Sequence, residues 1–248
     1  RPIMLSVPID LGEADFNDDE PYTPSSALLK PWVPYPDSNA IAYAADVIAA
    51  SKKVVIVVGR GAIRSGAGDA VLRLADRIGA LIATSVIAKT FLNECEYHAG
   101  ISGQYSSRTA INLIQEADCV IGVGASLNNY TTQFGVLYAN ARYIQIDSSQ
   151  HVLMNGVKAA ECYIQSDAKV GVSALDDLLA SRNFKSTGYR TPQVKEVLSR
   201  QYEDKAEFTL EPDTVDYREA YSLLDQMLPP GIGLATGTGM IGPAGNML

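Results

Sequence analysis

The middle of the chain alternates short strand-type runs with stripes of helical period. Val54–Val58 is five apolar residues in succession, the pattern of a parallel strand covered on both faces. Further strands are predicted at Ala80–Thr84, Cys119–Val123, Arg142–Ile146 and Glu161–Gln165. Asp37-Ser38 is a helix start, and Ile41, Ala44, Ala45, Ile48 and Ala49 behind it share one face. Ala70–Ile78 turns Val71, Leu74, Ala75 and Ile78 inward and stops at Gly79; Ser107–Glu116 and Val170–Ser181 are two more helices. Strands and helices in this alternation predict an α/β fold, a doubly wound parallel sheet of Rossmann-like type.

The flanks break the pattern. Met4–Val7 reads as a strand stopped by Pro8, and only proline-rich chain follows it. Residues 21–36 hold five of the twelve prolines, which marks an extended connector rather than an element. Trp32 and Tyr35 are expected to pin it to a neighbouring domain. At the other end, a connector over 183–216 carries a helix at Gln193–Ala206, and Asp216–Leu228 is a further helix. A strand at Ile232–Thr236 then runs into Gly237-Thr238-Gly239. The division expected is 1–20, 21–36, 37–182, 183–216 and 217–248, with a complete middle domain between edges of two neighbours.

Composition narrows the function classes. The 47% apolar and 19% charged content suits a globular α/β protein, and 248 residues suffice for a sizeable core. A net charge of −8, from 20 basic and 28 acidic residues, argues against nucleic acid or an anionic membrane as partner. No apolar stretch approaches the ~20 residues of a membrane span. Cys95, Cys119 and Cys162 are odd in number and dispersed, so reduced thiols and a cytoplasmic setting are expected, without a disulfide framework or zinc site.

In an open parallel sheet, ligands bind beyond the carboxyl ends of the strands. Here those ends are Gly59-Arg-Gly61-Ala62, Ser85, Gly122-Val-Gly124-Ala-Ser126, Asp147-Ser148 and Ser166-Asp167. One glycine pair could simply turn the chain from strand to helix. Two pairs with two strand-end aspartates favour a nucleotide groove. It is not the dehydrogenase kind: Arg64 stands where G-x-G-x-x-G needs its third glycine, and the second strand ends in Thr84-Ser85 without an acid for the ribose. The helix is also expected late, after Ser65-Gly-Ala-Gly68, away from a pyrophosphate.

Five motifs in order carry a family resemblance: Val58-Gly-Arg-Gly-Ala62, Ala83-Thr-Ser-Val-Ile-Ala-Lys89, Gly100-Ile-Ser-Gly103, Val123-Gly-Ala-Ser-Leu-Asn128 and Ile144-Gln-Ile-Asp147. Over about residues 37–182 the chain resembles the central domain of thiamine diphosphate-dependent enzymes of the acetolactate synthase, oxalyl-CoA decarboxylase and benzoylformate decarboxylase group. Arg1–Leu11 resembles the end of that family's pyrimidine-binding domain, and Tyr217–Leu248 the start of its diphosphate-binding domain. The resemblance implies a carboligase or decarboxylase acting on 2-oxo acids, acetolactate synthase-like first and aldehyde-lyase or oxalyl-CoA decarboxylase-like second. It implies thiamine diphosphate and Mg²⁺ in the parent enzyme, and a homodimer or homotetramer.

In that family the central domain does no chemistry and, in some members, binds FAD or ADP. Carried over, Gly59 and Gly61 would approach the ligand backbone, and Ser85 and Gly103 would line its flavin or ribityl side. Gly124, Ser126, Leu127 and Asn128 would follow the diphosphate, Asp147 and Ser148 the ribose, and Asp167 the adenine end. Gly237, Thr238 and Gly239 would meet the thiamine diphosphate. The FAD-binding pattern resembles Gly-x-Arg-Phe-Asp-Asp, but here Ser126 replaces the arginine, Asn128-Asn129 the acidic pair and Ser102 a histidine. A lost charge-assisted bond removes ~1.5–3 kcal/mol, about tenfold to a hundredfold in affinity, unless Arg60 or Arg64 compensates. FAD or ADP is admissible but not favoured.

No catalytic residue is expected in this chain. The family's glutamate lies in the pyrimidine domain, and no Gly-Asp-Gly metal motif occurs. The polypeptide alone is expected to be inactive, in effect a nucleotide-binding or assembly module. NAD-dependent deacylases, a different class with a related fold, need a catalytic histidine and usually four zinc cysteines. His98 and His151 have no nucleophile beside them and read as structural or surface residues. Asp18-Asp19-Glu20 reads as a solvated loop, and Tyr97, Tyr105, Tyr130 and Tyr138 as packing residues.

Overall fold

The computed structural model describes residues 4–15, 21–28, 32–150, 160–185, 188–200, 209–229 and 231–232. By its internal packing the chain divides into two units, Arg1–Val33 and Pro34–Leu248.

In the first unit, Met4–Val7 forms no strand; Met4 is 95% exposed and the segment runs into a 3-10 turn at Ile9–Gly12. An apolar run becomes a strand only when a neighbour accepts its ladder, and none is present among the described residues. The expected extended connector contains a single helical turn, α1 (Ser25–Leu28).

The second unit is built on a six-stranded sheet. Helix α2 (Ser38–Ala49) leads into β1 (Val54–Val58), and Asp37 caps it by accepting from the Asn39 and Ala40 amides at 2.9 Å. After β1 come α3 (Arg60–Arg64), α4 (Gly68–Ile78) and β2 (Leu81–Thr84). Then follow β3 (His98–Ile101), α5 (Arg108–Ile114), β4 (Cys119–Val123), α6 (Asn129–Thr132), β5 (Arg142–Asp147), β6 (Cys162–Gln165) and α7 (Ala168–Ser181). The strand order is β3-β2-β1-β4-β5-β6 and every neighbouring pair is parallel, the doubly wound arrangement predicted.

Alternate strand residues serve two cores. Ile56, Val58, Ile82, Ile121, Val123, Ile144 and Ile146 pack with α2, α4 and α7. Val55, Val57, Leu81, Ala83, Val120 and Tyr143 pack with α5 and with Leu137, Tyr138 and Tyr189. Helices cover both faces, which explains why the central strands are apolar throughout. Across the α4–α7 contact, the Asp176 carboxylate, 5% exposed, accepts from Arg77 at 2.5 and 3.4 Å, with Arg73 at 3.9 Å.

Two expectations are corrected here. Strand β3 escaped the apolar pattern because it is an edge strand of four residues, buried only at alternate positions. The helix after β1 does not begin late: Gly59 caps α3 directly, and Gly66, at φ +64°, breaks the helical run before α4. The second connector is partly docked, since the Tyr189 amide donates to Gly79 and Arg190 Nε donates to the Ala80 carbonyl at 2.7 Å. Within it α8 spans Pro192–Ser199, and α9 covers Tyr217–Met227. The expected Gln193–Ala206 helix already ends at Ser199, with Arg200 in extended backbone; residues 201–206, His151, Asp18-Asp19-Glu20, most of the Ile232–Thr236 strand, and Gly237, Thr238 and Gly239 lie outside the described residues.

Candidate nucleotide rim and the family of the chain

Parallel strands put all their carboxyl ends on one edge of the sheet. Register sharpens this: Val58 pairs with Val123 and with Thr84, Val123 with Ile146, and Asp147 with Gln165. Gly59, Ser85, Ser102, Gly124, Asp147 and Ser166 therefore stand side by side along one rim.

At the centre of that rim the glycines meet each other. The Gly59 amide donates to Val123 O at 3.0 Å, Gly61 to Gly124 O at 2.9 Å, and Gly124 to Ile146 O at 2.8 Å. A β-carbon on Gly59 would stand 2.3 Å from Gly124 O, and one on Gly61 2.7 Å from Gly124 Cα. Gly124 lies at φ +55°, and a β-carbon there would be 2.3 Å from the Ala62 amide nitrogen. The glycines are required because two backbone loops interlock, and their amides are already donated to protein carbonyls. A phosphate cradle needs amides that face outward.

The neighbouring candidates are also engaged. Asn128 caps α6 through Oδ1, which accepts from the Thr131 amide at 3.0 Å, while its Nδ2 donates to Ser126 Oγ at 3.3 Å. Leu127 is fully buried, its side chain lying over Gly122. Gly103 sits at φ +118° directly beneath the Tyr130 carbonyl, and its amide donates to Ser106 Oγ. Ser102 Oγ donates to Thr131 O at 2.8 Å and lies 2.6 Å from Tyr138 Oη. Burial raises the Tyr138 phenol, so it stays protonated. The Ser85 amide donates to Val58 O at 2.9 Å, and the Ser85 side chain, at the start of a 3-10 turn over Val86–Ala88, makes no capping bond. Asp167 caps α7 by accepting from the Lys169 and Val170 amides. Asp147 is half-buried and accepts from the Ser149 amide at 3.2 Å; Ser148 beside it is exposed.

Gln145, 1% exposed within β5, is the one residue of this region that reading for strand ends overlooks. Its Nε2 donates to Ala125 O at 3.2 Å and braces the interlocked loop from below. An amide between two isoleucines, Ile144 and Ile146, was the available signal. Arg60 is exposed at the rim's centre. Among the described residues no cluster of histidine, cysteine or acidic groups could hold a metal, and no helix is long and apolar enough to cross a membrane.

Residues 41–176 match the family model described as the thiamine pyrophosphate enzyme central domain. The chain belongs to that family. This central domain is 26% identical over 170 residues to an acetolactate synthase large subunit from Corynebacterium glutamicum, covering 68% of the chain and 27% of that protein. It is 26% identical over 212 residues to a 3D-(3,5/4)-trihydroxycyclohexane-1,2-dione hydrolase from Clostridium perfringens, covering 80% of the chain and 32% of that protein. A sulfoacetaldehyde acetyltransferase from Alcaligenes xylosoxydans is 32% identical over 142 residues, 55% of the chain and 23% of that protein. The chain thus spans about a quarter to a third of the length of these relatives. A solved thiamin diphosphate-dependent enzyme from Mycobacterium smegmatis aligns over 63% of the chain and 30% of its own, at 22% identity and TM-score 0.49.

Proposed function

We propose that this thiamine pyrophosphate enzyme central domain serves a carboligase or decarboxylase acting on small 2-oxo acids, with acetolactate synthase-like condensation of pyruvate as the leading activity. The observation that carries the reading is the central-domain match over residues 41–176. Acetolactate synthases among the relatives support the activity. A hydrolase and an acetyltransferase at similar identity mark the alternatives. The parent enzyme uses thiamine diphosphate with Mg²⁺, acts in the cytoplasm as a homodimer or homotetramer, and draws its catalytic glutamate and metal motif from other domains.

Within that enzyme the domain is a spacer first. Gly59 and Gly61 donate their amides to the β4 end at Val123 and Gly124, Gly124 donates its own to Ile146 on β5, and Asn128 and Asp167 use their side chains as caps. That favours the assembly reading over FAD or ADP on the rim. The test is turnover. The reading frame on either side of this segment is expected to supply a glutamate-bearing domain and a Gly-Asp-Gly segment. The full polypeptide should consume pyruvate with thiamine diphosphate and Mg²⁺, and the 248-residue chain alone should not. A full polypeptide inert towards every 2-oxo acid, or turnover by the isolated chain, would refute it.

A further inference from the structure

A cavity of about 690 Å³ lies at the outer side of the sheet, beside edge strand β3, between that strand, the start of α5 and the end of α8. Its walls run from Cys95 and His98 at the start of β3 to Ile101 at its end. Among the described residues three cations line it, Lys89, Lys195 and Arg200, against one acid, Glu96. In a chain of net charge −8, that local excess of positive charge is a departure from the average surface. Ser107, Thr109 and Tyr105 add hydroxyls to the same wall.

Two of these cations, Lys195 and Arg200, are held loosely. Lys195 pairs with Glu96 at 2.6 Å and Arg200 with Glu196 at 2.6 Å, and all four side chains are largely exposed. Such surface pairs contribute only ~0–1 kcal/mol, so an entering anion can replace the carboxylate. His98 adds no charge at neutral pH: Nδ1 accepts from the Gly100 amide, and burial pulls the imidazole down to about 4. The volume falls in the ~300–1,000 Å³ range of small-molecule sites.

We propose that this edge cavity binds a phosphate-bearing small molecule through Lys195 and Arg200, with Lys89 and the hydroxyl wall completing the site. Glu96 acts as an internal competitor, holding Lys195 while the cavity is empty. The site is independent of any nucleotide on the rim and of the parent enzyme's reaction.

The test uses the 248-residue chain and inorganic tripolyphosphate, with binding measured by isothermal titration at low salt. Saturable binding is expected, weakened about tenfold by Lys195→Gln and again by Arg200→Gln, the loss typical of one charge-assisted contact. Glu96→Gln should tighten binding several-fold, and Arg60→Gln on the rim should leave it unchanged. The absence of saturable binding, indifference to both cation variants, or loss with Arg60→Gln would each overturn the proposal. Both substituted cations are solvent-exposed, and unchanged thermal unfolding of each variant will show that the fold is intact.

Discussion

Substituting Gly59 by alanine separates the two meanings a strand-end glycine can have. In this structure its β-carbon would stand 2.3 Å from Gly124 O and 2.6 Å from Ala125 Cα, both backbone atoms of the facing loop. Real contacts of this kind are essentially never under 3.0 Å, so one loop must retreat by about 0.7 Å. It cannot do so freely, because Gly59, Gly61 and Gly124 tie β1, β4 and β5 together through their amides. Overpacking of this kind costs ~1–3 kcal/mol. At ~2–4 °C per kcal/mol for a chain of this size, Gly59→Ala should lower Tm by roughly 2–12 °C. Gly124→Ala adds a left-handed alanine, ~1–2 kcal/mol more, and should be worse. Gly66→Ala is the control: also left-handed, but with nothing within 4 Å of the added carbon. Urea and thermal unfolding of the three variants would rank them. If Gly59→Ala is as stable as the parent chain, the interlock is wrong and the glycines serve a ligand.

Other predictions concern sites away from that interlock. Arg77→Ala leaves the buried Asp176 carboxylate with only Arg73 at 3.9 Å; breaking a buried pair costs ~3–5 kcal/mol, and partial exposure of Arg77 lowers the expectation to about 2–3 kcal/mol by urea unfolding. His98 is held at about 4 in the folded state, below the usual ~6.5, so the unfolded chain binds the proton first and stability falls as pH drops through that window. The loss is about 2 kcal/mol between pH 7.5 and 5, and His98→Asn should abolish that part of the slope in unfolding measured against pH. Asp167→Ala removes the α7 cap and should cost ~1 kcal/mol of unfolding free energy. Tyr138→Phe deletes the hydroxyl 2.6 Å from Ser102 while Ser102 keeps Thr131 O, for about 1 kcal/mol by the same assay.

The apolar runs made the sheet legible in the sequence. Val54–Val58 and Cys119–Val123 are buried at every position, as continuous runs must be in a sheet covered on both faces. Edge strand β3 was illegible because half of it faces outward and two of its four residues are glycine and alanine. The rim was half legible. Small residues at the strand ends and their common edge followed from parallel topology, but what the glycines touch did not. A glycine that admits a phosphate and one that admits a neighbouring backbone carry the same letter, and only coordinates place Gly124 O over Gly59. Leu127 shows the same limit: its motif suggested a loop beside a diphosphate, whereas its side chain is in the core. Met4–Val7 had strand propensity but no partner among the described residues, and propensity alone makes no ladder.

Native-state amide hydrogen exchange at Gly59, Gly61 and Gly124, followed by NMR without any ligand, tests the closed rim most directly. Donated to Val123, Gly124 and Ile146, these three amides should open only with free energies close to that of global unfolding. Exchange at the rate of an open surface loop, slowed only when FAD or ADP is added, would contradict the account.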